Sequence, residues 1–459
     1  MNNVFKKIIL LIGTMIILLI SCRKEENVFY ENKSSLPKDA THSVHSEGPE
    51  DLAKFDSYVA LTWYNLMLDL LEVTPGHTPP IAARSFGYTG VTLYESLVGG
   101  MPLHHSLVGQ LQGLTAVPQR KYGHSYSAPV VANSALARII KELFQNASTV
   151  SSERIDSLEL ANNAAYSKLV SEIIFARSQD YGRAVADAVF IWSMTDGGHQ
   201  AYLNNFPSDY IPPTGLGKWV PTPPLNQNAM LPYWGRNRPM LAADGTGSID
   251  PPLPPAFSTS RGSSFYAAGL NVYYTGLHLT PVQRTIALYW ADGAGSFTPP
   301  GHNLAITIQM IHNHHLDLST AAVLLAKIGI AENDAGIVCW RAKFNTNLLR
   351  PITYIQNYID PTWTPLINTP PFPTYTSGHS TFSGAGAAIL TAELGNNIPF
   401  IDSSKIPDGF LPRMFADFNS AAREAAVSRL YGGIHYGFDN ENGFNCGQSI
   451  AMNVERLNW

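Results

Sequence analysis

Cysteine is scarce in this 459-residue chain, with three in all, at positions 22, 339 and 446. There is no Cys-x-x-Cys pair and no Cys/His spacing of a zinc site, which excludes a disulfide-stapled scaffold and a zinc ribbon. Cys339 and Cys446 fit one disulfide or two separate buried thiols, and spacing leaves both open. Charge is thin as well, at 14% of residues with a net −5, and no basic stripe appears. A generic nucleic-acid surface is therefore excluded. Sustained apolar–polar alternation is missing, which removes a large sheet. Beyond the N-terminus no apolar run reaches the about 18 residues of a membrane span, so the expected catalytic unit is soluble.

The strong apolar run lies at the start. Lys6 and Lys7 precede Ile8 to Ile20, followed by Ser21 and Cys22. A charged segment and a short apolar one read as a secretory signal over residues 1–21. Leu19-Ile20-Ser21-Cys22 resembles a bacterial lipobox, which implies a lipid on Cys22 and an exported protein at the outer membrane. Its contact with the membrane would then be the lipid anchor alone. Residues 22–50 are polar and lack an apolar period, so they read as a flexible tether.

From Leu52 onward apolar residues recur at three- and four-residue steps, as in LAKFDSYVALTWYNLMLDLLE and NDAGIVCWRAKFNTNLL. That period predicts helices in a first half, 51–202, and a second half, 265–459. Between them, 203–264 is dense in Pro, Trp and Tyr. Proline excludes a continuous helix and the aromatics exclude disorder, which leaves an ordered wrapping loop. Thr280-Pro281 reads as an N-cap and first helical position. The expected fold is all-α, two packed helical bundles in one compact unit. His312, His314 and His315 do not share a helical face and are not read as a metal site.

Three pieces of the second half carry chemistry. Lys343 and Arg350 are seven residues apart, about two helical turns, so both cations are expected on one face of a helix that Pro351 stops. Together they suit an oxyanion. Next, TYTSGHSTFSGAG (374–386) contains a helix start at Ser377-Gly378. Free backbone N–H groups there, with no Cβ on Gly378, let an anion approach, and His379 in the first turn can give or take a proton. Third, SRLYGGIHYGFD (428–439) supplies Arg429, a glycine break and His435. Asp439 is placed to accept from one nitrogen of His435 and leave the other as a lone pair. Alone, each piece is ordinary: a solvated helix face, a helix cap, a structural histidine.

In this order and spacing they resemble the signature of the superfamily joining type 2 phosphatidic acid phosphatases, bacterial acid phosphatases and vanadium-dependent haloperoxidases. Thr376 stands where that signature has proline. The resemblance is strongest over 336–445 and looser over 285–335, where it rests on YWADGAGSFTPPG. It implies an oxyanion site of Lys343, Arg350, Ser377, Gly378, His379, Arg429 and His435, with Asp292 paired to Arg429. As a haloperoxidase the chain would bind vanadate on His435, its sole metal ligand. Hydrogen peroxide, a halide and a small organic acceptor would be its partners. As a phosphatase, His435 would become a phosphohistidine while His379 protonates the leaving group.

Trp340, three before Lys343, and Phe372, seven before His379, resemble the two aromatics on the halide side of haloperoxidases. They tilt the reading to a haloperoxidase using iodide or bromide, since chloride is harder to oxidise. An inactive lipoprotein binding glycans or peptides through 203–264 is the reading from another class, and the complete signature opposes it.

Overall fold

The computed structural model describes residues 52–247 and 249–459. The signal, lipidation and tether readings, including Cys22, lie outside them. Thirteen α-helices and one small hairpin make up the regular structure among the described residues. The first half holds α1 (Tyr58–Val73), α2 (Pro79–Val98), α3 (Ala128–Leu143), α4 (Thr149–Tyr166) and α5 (Glu172–Ser193). The second half holds α6 (Ser264–Leu277), α7 (Pro281–Tyr289), α8 (Thr298–Asn313), α9 (Leu318–Thr346), α10 (Pro351–Tyr358), α11 (Gly378–Leu394), α12 (Phe418–Tyr431) and α13 (Gly437–Glu455). Between α11 and α12, β1 (Phe400–Asp402) pairs antiparallel with β2 (Arg413–Phe415), setting Asp402 opposite Arg413. Three-residue strands are too short to leave an alternating pattern, which is why the sequence reads as sheet-free. No helix among the described residues is long and apolar enough to cross a membrane.

Local chemistry explains where helices begin. Side chains of Ser148, Ser171, Ser263 and Asp317 accept from backbone N–H groups at the starts of α4, α5, α6 and α9. Thr280 and Gln283 form a reciprocal capping box flanking Pro281, satisfying two otherwise orphaned donors.

One continuous core draws on both halves, from Trp63, Tyr64 and Phe86 to Trp340, Phe382 and Ile450. The helices at its centre, α2 and α9, touch backbone to backbone. A Cβ on Gly329 would lie 2.4 Å from the Phe86 carbonyl oxygen, so only glycine permits the crossing. Gly447 plays the same part between α13 and α11, where a Cβ would meet the Thr381 carbonyl at 2.1 Å. These contacts fix α9 and α11, the two helices that carry most of the site.

Among its described residues, the stretch between α5 and α6 has three-residue helical turns as its only helices, such as Trp234–Arg236. It is ordered by burial of Trp219 and Trp234 and by hydrogen bonds to α9. Met240 and Leu241 N–H donate to the Asp334 carboxylate at 2.7 and 2.9 Å, and Arg341 pairs with Asp250 at 2.6 Å. Earlier in the stretch, Met230 N–H donates to the Pro371 carbonyl, and the Met230 carbonyl accepts from the Trp340 indole. The loop thereby braces the segment leading into the site. Both Cys339 and Cys446 are buried free thiols, which settles their pairing.

Candidate active site

Lys343 and Arg350 do not share a helix. α9 ends at Thr346, because Asn347 takes a left-handed cap (φ 47°) and its N–H returns to the Lys343 carbonyl. Arg350 is instead the residue before α10, and Pro351 begins that helix rather than stopping the previous one, since its ring fixes φ for a first helical position. The reversal still brings both cations to one buried place.

Arg350 is fully buried. Its Nε donates to the Phe372 carbonyl at 2.7 Å, and Nη1 donates to the Ile434 carbonyl at 2.9 Å and to His435 Nε2 at 3.1 Å. Nη2 has no partner. Lys343 differs from expectation. Its ammonium donates to three carbonyls, those of Pro373 (3.1 Å), Thr374 (3.0 Å) and Thr376. An ammonium has three protons, so in this structure Lys343 ties down the 373–376 turn. It also lies 4.8 Å from the centre of the Phe372 ring, as does the Arg350 guanidinium.

Ser377 caps α11, its hydroxyl accepting from Ser380 N–H at 3.3 Å. Its own N–H is not free as expected: it donates to the Asp439 carbonyl at 3.1 Å, because the first turn of α13 packs against it. The next two N–H groups, of Gly378 and His379, occupy helix positions without an intrahelical acceptor. His379 is half-buried, and its Nε2 has no partner. Thr376, in the place of proline, is buried. It donates to Cys339 Sγ at 3.5 Å and contacts Thr381 Oγ1 at 3.4 Å.

After α12, the positive φ of Gly433 (77°) turns the chain so that His435 enters the site. His435 Nδ1 lies 2.9 Å from Asp439 Oδ2 and 3.1 Å from Thr374 Oγ1. Asp439 Oδ2 also accepts from the Thr374 hydroxyl and from Tyr436 N–H. The carboxylate therefore holds the proton on Nδ1 and leaves Nε2 as a lone pair. Thr374 lies outside the sequence signature. A threonine three residues before the helix cap carries no signal that separates it from core.

Arg429, in the last turn of α12, donates from Nη1 to the Trp290 carbonyl at 2.7 Å, while its Nε has no partner. The expected ion pair with Asp292 is absent. Asp292 lies 2.9 Å from His302 and 2.9 Å from Lys405 instead. A positive φ at Asp292 (42°) swings its carboxylate to that side.

Burial outweighs the carboxylates nearest the site's arginines, Asp439 at Arg350 and Asp292 at Arg429. Burial pushes the Arg350 and Arg429 guanidinium groups below their usual range. Burial, followed by Arg350, Lys343, Arg429 and His379, drives His435 well below the ordinary histidine value. His379 is driven down by burial and then Arg429. Buried cations without a partner are costly, and an oxyanion would remove that cost. The donors fit one: Arg350 Nη2 and Arg429 Nε are buried and unpartnered, as is His379 Nε2, which donates when it carries the ring proton, and a Cβ on Gly378 would have only Trp340 (3.7 Å) and Phe382 (3.9 Å) within reach. No group of three or more His, Cys, Asp or Glu side chains gathers into a cation site among the described residues. Trp340 and Phe372 form an adjoining wall, ring centres 5.1 Å apart.

Residues 323–458 match the family described as the VCPO second helical-bundle domain. A bacterial vanadium-dependent iodoperoxidase of known structure is 31% identical and superposes with a TM-score of 0.80, covering 89% of this chain and 97% of that one. The chain belongs to the vanadium haloperoxidase superfamily. Vanadium chloroperoxidase of Curvularia inaequalis is 28% identical over a stretch covering 35% of this chain, which spans only 36% of that enzyme's length. A bacterial vanadium-dependent chloroperoxidase shares the fold at 14% identity, with a TM-score of 0.65 over 88% of this chain and 97% of its own. Membership in the superfamily implies a vanadate cofactor, and the unpartnered donors are of the kind a tetrahedral or trigonal oxyanion requires.

Proposed function

We propose that this chain is a vanadate-dependent haloperoxidase that oxidises iodide or bromide with hydrogen peroxide. The observation that carries the reading is the set of unpartnered donors on Arg350, Arg429 and His379, in the field of a neutral His435. Arg350, Arg429, His379 and the first turn of α11, Ser377 and Gly378 included, would hold vanadate, with His435 Nε2 as its one protein ligand. Bound vanadate supplies a Lewis acid that activates peroxide toward halide.

The remaining work falls to the chain. Asp439 and Thr374 keep the proton on His435 Nδ1, so Nε2 stays available. Lys343 holds the 373–376 turn and adds positive charge without a hydrogen bond of its own to give. Arg350 Nη2, which has no partner, would help hold the anion, and Nη1 would become available to it if His435 Nε2 served as a ligand. His379 Nε2 is the group that moves protons; a nearby anion raises its pKa from its present low value toward the working range. Trp340 and Phe372 give a weakly hydrated halide a dry, polarizable wall. Peroxide, halide and an organic acceptor are then the partners. Cys22 would carry a lipid that anchors the exported protein at the outer membrane.

Two assays on the purified protein test this: halide oxidation by peroxide with and without orthovanadate, and p-nitrophenyl phosphate hydrolysis without it. Vanadate-dependent oxidation of iodide is expected. Phosphate-ester turnover with no halide oxidation would replace the reading with a phosphohistidine phosphatase.

A further inference from the structure

Behind Arg429 and His379 lies a buried charged cluster that the reaction does not use directly. His302, in the second turn of α8, is 1% exposed. Its Nδ1 lies 2.9 Å from Asp292 Oδ2 and its Nε2 lies 2.9 Å from Asp402 Oδ2. A neutral imidazole has one N–H, which would leave the other nitrogen's lone pair facing a carboxylate. With acceptor oxygens on both sides, the geometry requires the imidazolium. Desolvation opposes that charge, but Asp292 and Asp402 outweigh it and lift the pKa to about 9. Tyr289 of α7 donates to Asp402 at 2.7 Å, and Lys405, after β1, pairs with Asp292 at 2.9 Å and Asp408 at 2.8 Å.

The cluster converges on Trp290. The indole stacks on the His302 ring, centres 4.3 Å apart and planes 26° from parallel, and its N–H donates to Glu424 of α12 at 2.9 Å. The Trp290 carbonyl then receives Arg429 Nη1 at 2.7 Å, and the same residue's backbone favours the charged form of the His379 ring. One backbone oxygen thus holds Arg429, and the same turn acts on the charge of His379. That oxygen sits in a turn whose far end, Asp292, is held in a left-handed conformation by His302 and Lys405.

We infer that His302 is a positioning residue for the oxyanion site, its doubly paired imidazolium clamping the Trp290–Asp292 turn so that the Trp290 carbonyl aims Arg429 into the site that His379 also lines. This role rests on the oxyanion site proposed above, but not on which reaction that site performs. It also explains why Asp292 is not an arginine partner: it acts on Arg429 through the turn. The charged or titratable groups around His302 are Asp292, Asp402, Tyr289 and Lys405, with His379 on α11 and Glu424 reaching it through Trp290.

The test is oxyanion affinity in His302→Gln, read by calorimetry with orthovanadate and with inorganic phosphate across pH. Glutamine keeps a donor toward one carboxylate but removes the charge. Affinity for both anions is expected to fall about tenfold or more, the loss typical when a supporting partner is removed. The pH dependence of phosphate affinity should also move to higher pH, because a cation near His379 has gone. Asp402→Asn keeps shape and retains the Asp292 pair, so it reads the same effect in smaller form should His302→Gln fail to fold. Wild-type affinity and an unmoved pH profile in a variant that only melts earlier would overturn the positioning role. A wild-type protein binding neither anion would overturn the oxyanion site, and this role with it.

Discussion

Arg350 Nη1 stands 3.1 Å from His435 Nε2, donating to the lone pair that the site has for a ligand. Arg350 therefore holds His435 at its most reactive atom, and an anion bound there would exchange that bond for others from the same guanidinium. A lysine cannot make the exchange, having no planar fork. Arg350→Lys is expected to lower orthovanadate and phosphate affinity by about tenfold or more, the scale of a lost charge-assisted hydrogen bond. Titration calorimetry on the folded variant measures it.

Lys343 predicts the opposite division between binding and stability. Its ammonium serves three buried carbonyls of the 373–376 turn. Lys343→Met leaves the Pro373 and Thr374 carbonyls without a donor and Thr376 with only the weak Cys339 thiol, and each buried orphan costs roughly 1–3 kcal/mol. The variant should lose about 3 kcal/mol or more of unfolding free energy, read from denaturant titration, whereas Arg350→Lys should lose less. Equal stability in Lys343→Met and wild type would mean the ammonium points elsewhere in solution.

Thr374 offers a cleaner probe of the proton on His435. Its hydroxyl donates to Asp439 Oδ2 and sits 3.1 Å from His435 Nδ1. Thr374→Val keeps the shape and removes the donor. Turnover is expected to fall about 10–100-fold, the range for lost second partners of a ligating histidine, with the fold intact by circular dichroism. An unchanged rate would leave Asp439 alone as the orienting group.

The order of Lys343, Arg350, His379, Arg429, His435 and Asp439 was readable because chemistry at a point in space leaves residue types at fixed spacings. Helices were readable for a similar reason, periodicity and caps such as Thr280-Pro281 being local. What failed was nonlocal. The αL turn at Asn347, which separates Lys343 from Arg350, has the sequence of a continuing helix. The capture of Ser377 N–H by Asp439 depends on packing between helices 60 residues apart in the chain, as the hydrogen bond from Ser380 to Asn440 also does. His302 follows directly on the YWADGAGSFTPPG stretch, yet its meaning comes from Asp402, 100 residues away. A single histidine on a helix gives no hint of two carboxylates closing on it.

Stability should respond to pH from both sides, for reasons tied to particular rings. His435 and His379 are held below the ordinary value of about 6.5 by burial first and neighbouring cations second. A depressed pKa means their contribution is present above about pH 6.5 and is lost as pH falls below it. His302 is the reverse case: raised to about 9, it contributes fully below about pH 6.5, and that contribution is lost as pH rises through about 9. Thermal unfolding should therefore peak near neutrality. The alkaline limb should flatten in His302→Gln, while the acid limb should weaken when phosphate is bound, since the anion favours the charged rings. An alkaline limb unchanged by His302→Gln would assign it to another group.

The shared oxyanion site makes one more demand, on competition between anions. Phosphate and vanadate present the same oxygens to Arg350, Arg429 and the start of α11, and both would seek His435 Nε2. Saturating phosphate is expected to slow reconstitution by orthovanadate in proportion to its occupancy, and dilution of phosphate should restore the rate. Halide, by contrast, would contact the Trp340–Phe372 wall, where no unpartnered donor lies. Phe372→Ala should then raise the KM for iodide while phosphate competes as before, unless loss of the ring, which packs 4.8 Å from both Lys343 and Arg350, also displaces those cations. Measuring phosphate affinity on the same variant separates the two: iodide KM up with phosphate affinity unchanged places the halide at the wall, and a parallel loss of both makes Phe372 a support for the cations.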